Sequence, residues 1–292
     1  MILAISGQAL SRYRSLDEIL TLCNQLEIRW IELWPLNLEG GGPDPERQES
    51  RYEGKDIARA KQVLGAHGIG VACVTMPGAF FANMVADPAD YLSALKTAVD
   101  VAVALDARLV NSYCYHFALG READIEPLVR VLRPAADYAA EQSVTLVLEN
   151  EAHDASATVA GMLRILEAVG SEAMKTNFDS CNYYQATEEA FPLGYRRLKQ
   201  YIGYMHLKNG CLYDPDSHPE NRKRSVVTGR PGEHNIYYPP LPEGAVNIEG
   251  LVAQLARDRY KGFCTLEPHV PLDLLEEYYR VEAAYARRLG VE

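Results

Sequence analysis

The sequence predicts an α/β fold: a single (β/α)8 TIM barrel occupying residues 1–292, with long loops after strands two and seven. Three observations predict it. Apolar, β-branched-rich runs recur at a regular interval. Segments with helical period separate them. The runs are continuously apolar rather than alternating, which implies a parallel sheet covered by helices. A doubly wound open sheet is the alternative with the same alternation. No Gly-rich phosphate fingerprint follows the first strand, however, since "AISGQALSRY" is neither G-x-G-x-x-G nor a P-loop.

The strand runs, in order, are "ILAIS" (2–6), "RWIELW" (29–34), "GVACVT" (70–75) and "RLVNSYC" (108–114). "VTLVLEN" (144–150), "KTNFD" (175–179), "IGYMHLK" (202–208) and "GFCTLE" (262–267) follow. The first helix, "SLDEILTLCNQL", opens on a capping box formed by Ser15 and Glu18. "DIARAKQVLGAHG" leads to "GAHGIG", whose glycines precede a strand and read as a helix C-cap and turn. "DPADYLSALKTAVDVAVAL" has Asp87 as N-cap and Pro88 at the first helical position. "READIEPLVRVLRPAADYAAEQ", "SATVAGMLRILEAV", "TEEAFPLGYRRLKQY", "NIEGLVAQLARD" and "PLDLLEEYYRVEAAYARRL" complete the helical set. Two connections are too long for plain turns. One is "PLNLEGGGPDPERQESRYEG" after strand two; the other runs from Asn209 to about Asn247 after strand seven. Both leave strand C-termini, so both belong to the catalytic face of a barrel, as a lid, an oligomer contact or an insertion without a role.

With 48% hydrophobic residues in 292, a large core is attainable. No apolar run approaches the roughly 20 residues that span a bilayer. The N-terminus lacks the basic and apolar regions of a signal peptide, so a soluble cytoplasmic protein is expected. A net charge of −11 disfavours nucleic acid. None of the six cysteines forms a C-x-x-C pair, and Cys73, Cys114 and Cys264 sit inside apolar runs, where a thiol packs as a small hydrophobe.

The functional signal lies at the strand ends. Strands five to eight each deliver one metal-capable or acid–base side chain: Glu149, Asp179, His206 and Glu267. In a barrel these ends converge on one mouth, with neighbouring strands roughly 4.8 Å apart. Alone, each has an ordinary explanation: a paired charge for Glu149 or Glu267, a turn cap for Asp179, a satisfied core histidine for His206. Their joint phase on four successive strands is hard to explain that way. Three carboxylates brought together need a cation between them. This oxygen-rich set suits Mn²⁺, Mg²⁺ or Co²⁺ and also admits Zn²⁺.

The motifs "LEN", "NFD", "HLKN" and "TLEP", in this order and spacing, resemble the xylose-isomerase-like sugar isomerase/epimerase superfamily, and "WIELW" extends the resemblance over nearly the whole chain. The resemblance implies one divalent metal held by Glu149, Asp179, His206 and Glu267. Glu149 and Glu267 would double as acid–base residues on the two faces of a polyol or keto-sugar substrate. A metal chelated by a ketone oxygen and the adjacent hydroxyl acidifies the intervening C–H and stabilises the enediolate left when the proton leaves. Return of the proton to the same carbon gives an epimer; delivery to the next carbon gives an isomer; loss of a β-hydroxyl makes the enzyme a lyase. Two positions depart from the pattern of ketose 3-epimerases. Asn182 stands where they carry a histidine, and Leu212 where they carry an arginine, a role that Arg222, Arg224 or Arg230 would have to fill.

Further candidates for substrate binding are Lys208, His116, Asn182 and Trp34. Lys208 shares a strand face with His206, two residues away, and either binds substrate or pairs with an acid. Glu32 either orients the site or pairs with a strand-one group. Trp34, Met76, Phe80 and Tyr183 form an apolar wall or ordinary packing. Of the loop histidines 153, 218, 234 and 269, His269 is nearest the site in sequence. Three other functions compete with an isomerase or epimerase that acts without nucleic acid or membrane and assembles as a monomer or homo-oligomer. They are a metal-dependent lyase on the same scaffold (a dehydratase of a keto-cyclitol or dehydroshikimate-like acid, or an eliminating lyase on an oxidised glycoside), a DNA-repair endonuclease of related barrel type, and a non-catalytic subunit. The endonuclease fits poorly, because such sites gather many histidines and this chain has seven in all and an acidic balance.

Overall fold

The predicted apolar runs become eight strands in the computed structural model, which describes residues 1–38, 51–76, 87–114, 120–214 and 226–292. They are β1 (Ile2–Ser6), β2 (Trp30–Leu33), β3 (Gly70–Thr75), β4 (Leu109–Ser112), β5 (Thr145–Glu149), β6 (Met174–Asp179), β7 (Ile202–Leu207) and β8 (Phe263–Leu266). Each pairs in parallel with the next, and β8 pairs with β1, so the sheet closes into a barrel. Closure excludes the open-sheet alternative. Ala4, Ala72, Cys73, Val147 and Tyr204 form a small buried cluster inside it. Val147 and Tyr204 lie two residues before Glu149 and His206 on the same strand faces, so this plug sits directly beneath the site.

The helices start where the cap residues dictate. Ser15 and Glu18 form the capping box of Leu16–Gln25. Asp56, Asp87, Thr158 and Asn247 cap Ile57–His67, Pro88–Ala104, Val159–Val169 and Ile248–Arg257. Gly68 ends its helix at φ 65°, a left-handed conformation that favours glycine. Glu126–Glu141 and Leu272–Arg288 cover β5 and β8.

One helix differs from expectation. The run "TEEAFPLGYRRLKQY" does not form a continuous helix. A short helix spans Ser180–Gln185, and Tyr195–Leu198 forms another turn. Between them Phe191 is extended (φ −141°, ψ 132°). Phe191 precedes Pro192, whose ring disfavours the helical region at the preceding residue and which has no N–H to donate.

Within the described part of the stretch after β7, Cys211–Leu212, Ile236–Tyr237 and Val226–Val227 form a small antiparallel sheet with 236–237 in the centre. The stretch after β2 begins with a 3-10 turn, Pro35–Leu38. Farther on, the Tyr52 hydroxyl donates toward the Leu33 and Thr75 carbonyls, tying this stretch to the ends of β2 and β3. All six cysteines are free thiols.

Candidate active site

The strand register brings the four strand-end residues together. Asp179 pairs with His206 across β6 and β7, and Thr265 pairs with His206 across β7 and β8. Glu267 follows Thr265 by two and so returns to the same face. On the other side, Glu149 pairs with Asn177, two residues before Asp179. As a result Glu149, Asp179, His206 and Glu267 each present one ligand atom, all within 4.8 Å of one another. All four are buried, Glu267 the most exposed at 3%.

Distances within the cluster are short. His206 Nδ1 lies 3.0 Å from Glu149 Oε1, 3.3 Å from Glu267 Oε2 and 4.0 Å from Asp179 Oδ2. Its other nitrogen, Nε2, donates to Glu32 Oε2 at 2.8 Å. Thr75 donates to the second oxygen of Glu32 at 2.5 Å. Glu32 therefore orients the site histidine, and its partners come from β7 and β3 rather than from strand one. Lys208 Nζ bridges Asp179 Oδ2 at 2.9 Å and Glu267 Oε2 at 3.0 Å, taking the acid-pairing alternative. The contact with Asp179 is an ion pair without hydrogen-bond geometry, and Asp179 Oδ2 accepts no hydrogen bond. Its other oxygen caps the following helix at Asn182 N, 2.8 Å away.

The electrostatics are dominated by crowded charge. Burial lowers His206, but Glu149, Glu267 and Glu32 outweigh it and hold its pKa well above the ordinary value. Burial likewise lowers Lys208, and Asp179 and Glu267 carry it well above its usual range. Burial raises Glu267, yet His206 and Lys208 pull its carboxyl well below the ordinary value. Asp179 moves the other way: burial raises it more than Lys208 lowers it. Buried carboxylates around one imidazole, with an oxygen that accepts no hydrogen bond, are a donor set a hard divalent cation would complete.

The remaining candidates fall into four groups. Asn182 is buried, and its side-chain NH2 donates to the Asn150 carbonyl at 2.9 Å and reaches Glu149 Oε1 at 3.5 Å. Trp34 is buried with its indole N–H donating to Ser6 Oγ at 3.2 Å. It lines a cavity of about 410 Å³ at the ends of β1, β2 and β8, together with Arg12, Tyr13, Tyr238, Pro268 and His269. His269 Nε2 is 3.4 Å from Glu267 Oε2, which makes that ring the boundary between cavity and cluster. By contrast, Met76 and Tyr183 belong to the main core. His153 pairs with Glu233, His234 packs on Tyr184, and Leu212 is exposed on the small sheet. His116, Phe80, His218, Arg222 and Arg224 lie outside the described residues.

Three residues at or near the site escaped the sequence reading. Asn111 and Asn177 each donate to Glu149 Oε2, at 2.9 Å and 3.2 Å. Their only signal is strand phase, since Asn177 sits two residues before Asp179 on the same face. Glu151 is a third; burial and the charge of Glu149 push its carboxyl well above the ordinary value.

A family model described as xylose isomerase-like TIM barrel matches residues 20–289. Among solved structures, the probable 3-DHS dehydratase AsbF from Bacillus anthracis superposes with a TM-score of 0.72 at 16% identity, covering 98% of this chain and 99% of that one. A xylose isomerase-like TIM barrel protein from Mycobacterium smegmatis in complex with magnesium gives 0.69 at 16% identity, with 99% and 95% covered. A D-allulose 3-epimerase from Methylomonas sp. in complex with D-allulose gives 0.67 at 16%, with 99% and 96% covered. At these identities the likeness concerns the fold alone. No curated protein matches the sequence.

Proposed function

Because the chain belongs to the xylose isomerase-like TIM barrel family, we propose that it is a divalent-metal-dependent isomerase or epimerase of a sugar or sugar-like ketone. Residues 1–292 serve as one barrel domain in this reading. The observation that carries it is the buried set of Glu149, Asp179, His206 and Glu267, whose ligand atoms lie within 4.8 Å of one another. These four would hold the ion, with Mn²⁺, Mg²⁺ or Co²⁺ matching the oxygen-rich donors and Zn²⁺ also accommodated. When bound, it supplies positive charge beside a ketone oxygen and so acidifies the neighbouring C–H.

The chain's own residues do the proton work. Glu149 and Glu267 stand on strands separated by β6 and β7, so they can address a substrate from two sides. One takes the proton and the other returns it. Asn111 and Asn177 donate to Glu149 Oε2, which keeps Oε1 turned toward His206 and the cluster. Lys208, now paired with Asp179 and Glu267, can donate to a substrate oxygen once an ion takes over those acids. The same ammonium also favours a second reading, a lyase, because it can protonate a departing β-hydroxyl.

The test is solvent-deuterium exchange at the carbon next to the carbonyl of a panel of ketoses and keto-cyclitols. Exchange should require a divalent ion, stop with a chelator, and fall by at least about a hundredfold in Glu149→Gln. Absence of exchange from the whole panel by metal-loaded protein would defeat the proposal. A conjugated enone absorbance in place of exchange would favour the lyase.

A further inference from the structure

The cavity beside the cluster carries one group that the isomerase reading leaves unused. Arg12 lies at the end of the short turn Gln8–Ser11 that follows β1, and its side chain lines the cavity. Arg12 is half-buried. Among the described residues its guanidinium makes no hydrogen bond or ion pair. Its near neighbour differs, since Arg14 is held by Glu276. Arg12 is also the one permanently charged side chain among the described residues that line the cavity. We propose that Arg12 binds a carboxylate carried by the substrate, so that the substrate class is a carboxylated polyhydroxy ketone rather than a neutral ketose.

The physical case has three parts. A half-buried guanidinium offers five donors in a planar fork that matches two carboxylate oxygens. Left without a partner it forfeits charge-assisted hydrogen bonds that a carboxylate would supply. Second, the protein carries a net charge of −11, and three acids crowd the neighbouring cluster. An anion entering there meets repulsion from the acids unless a cation offsets it, and Arg12 is the permanent cation that the described lining offers. Third, the volume of about 410 Å³ suits a six- or seven-carbon polyol, with the Trp34 and Pro268 side on its apolar wall and Tyr13, Tyr238 and His269 as polar contacts. With no second described cation on the lining, a phosphate dianion would be only half neutralised, whereas a carboxylate is matched one to one.

The inference rests on the proposed reading of the site, and its test is separable from that reading. Methyl glucuronide, methyl glucoside and methyl glucoside 6-phosphate differ only at the sixth carbon and are inert to the proposed reaction. Their affinities can be read from intrinsic fluorescence, since Trp34 lines the cavity, with EDTA present so that no metal contributes. The glucuronide is expected to bind wild-type protein at least about tenfold more tightly than the glucoside. That preference should shrink to about twofold in Arg12→Met and partly survive in Arg12→Lys. Equal affinities in the wild type overturn the proposal without recourse to any variant, as does an undiminished preference in Arg12→Met. Tighter binding of the 6-phosphate overturns the carboxylate assignment. If ketoses exchange deuterium but no glucuronide preference exists, Arg12 fails and the isomerase reading stands. If the preference exists but nothing exchanges, the isomerase reading fails alone.

Discussion

Glu32 decides which nitrogen of His206 faces the cluster. Its carboxylate accepts from Nε2, so when His206 surrenders one proton the remaining one stays on Nε2 and the Nδ1 lone pair turns toward Glu149 and Glu267. Such outer partners set ligand basicity, and losing the charge in Glu32→Gln should weaken Mn²⁺ binding by about 10–100-fold in competition with a chelator. His206 is held well above its ordinary pKa by Glu149, Glu267 and Glu32 against the opposing effect of burial, so it carries a proton at neutral pH. A metal needs the neutral imidazole. Mn²⁺ uptake should therefore expel about one proton per ion in weakly buffered solution, and affinity should rise with pH. At this scale the four strand-end residues were readable because ionisable side chains at the ends of apolar runs are conspicuous. Asn111 and Asn177 were not, because a neutral amide in a strand is distinguished only by the face it shares with an acid. The Glu32–His206 contact spans 174 positions and depends on a barrel interior that no local pattern records.

Among elements, the capped helices were the most legible, since a cap acts within four residues. Ser15→Ala should remove the side-chain arm of the capping box of Leu16–Gln25, leaving the Ser15 backbone N–H on Glu18, and cost about 1 kcal/mol in urea unfolding. The turn after β5 carries a different signature. Asp154 is fully buried, and burial pushes its carboxyl up to about 6 despite hydrogen bonds from Ser156 that favour the charged form. An acid raised in the folded state stays protonated there after the unfolded chain has released its proton. Stability from this group is therefore present below pH 4 and lost as pH rises toward 6. The loss is about 3 kcal/mol, and Asp154→Asn should flatten the stability profile over that window by a comparable amount. Two kinds of element were hidden. The segment around Phe191 has helical periodicity, and the pre-proline restriction overrides it. The strands of the small sheet are two residues each, too short to show any period.

On the scale of the whole molecule, the barrel was legible because strand and helix alternate through the entire chain, and because helix-covered parallel strands are apolar on both faces. A ligand that binds only the folded chain adds to its stability. At a Mn²⁺ concentration a hundredfold above Kd the gain is about 2.7 kcal/mol, or about 5 °C in Tm for a chain of this size. Equal melting temperatures in EDTA and in excess Mn²⁺ would leave the cluster without its ion. No helix among the described residues is long and apolar enough to cross a membrane. The burial of the cluster has a further consequence. With Glu149, Asp179, His206 and Glu267 at 3% exposure or less, a captured ion departs only when several side chains release it in concert. Stripping such an ion with a chelator would then take prolonged dialysis rather than mixing. A freshly purified sample should keep a memory of its culture broth, and its elemental content will reflect which cation was abundant while the chain was folding.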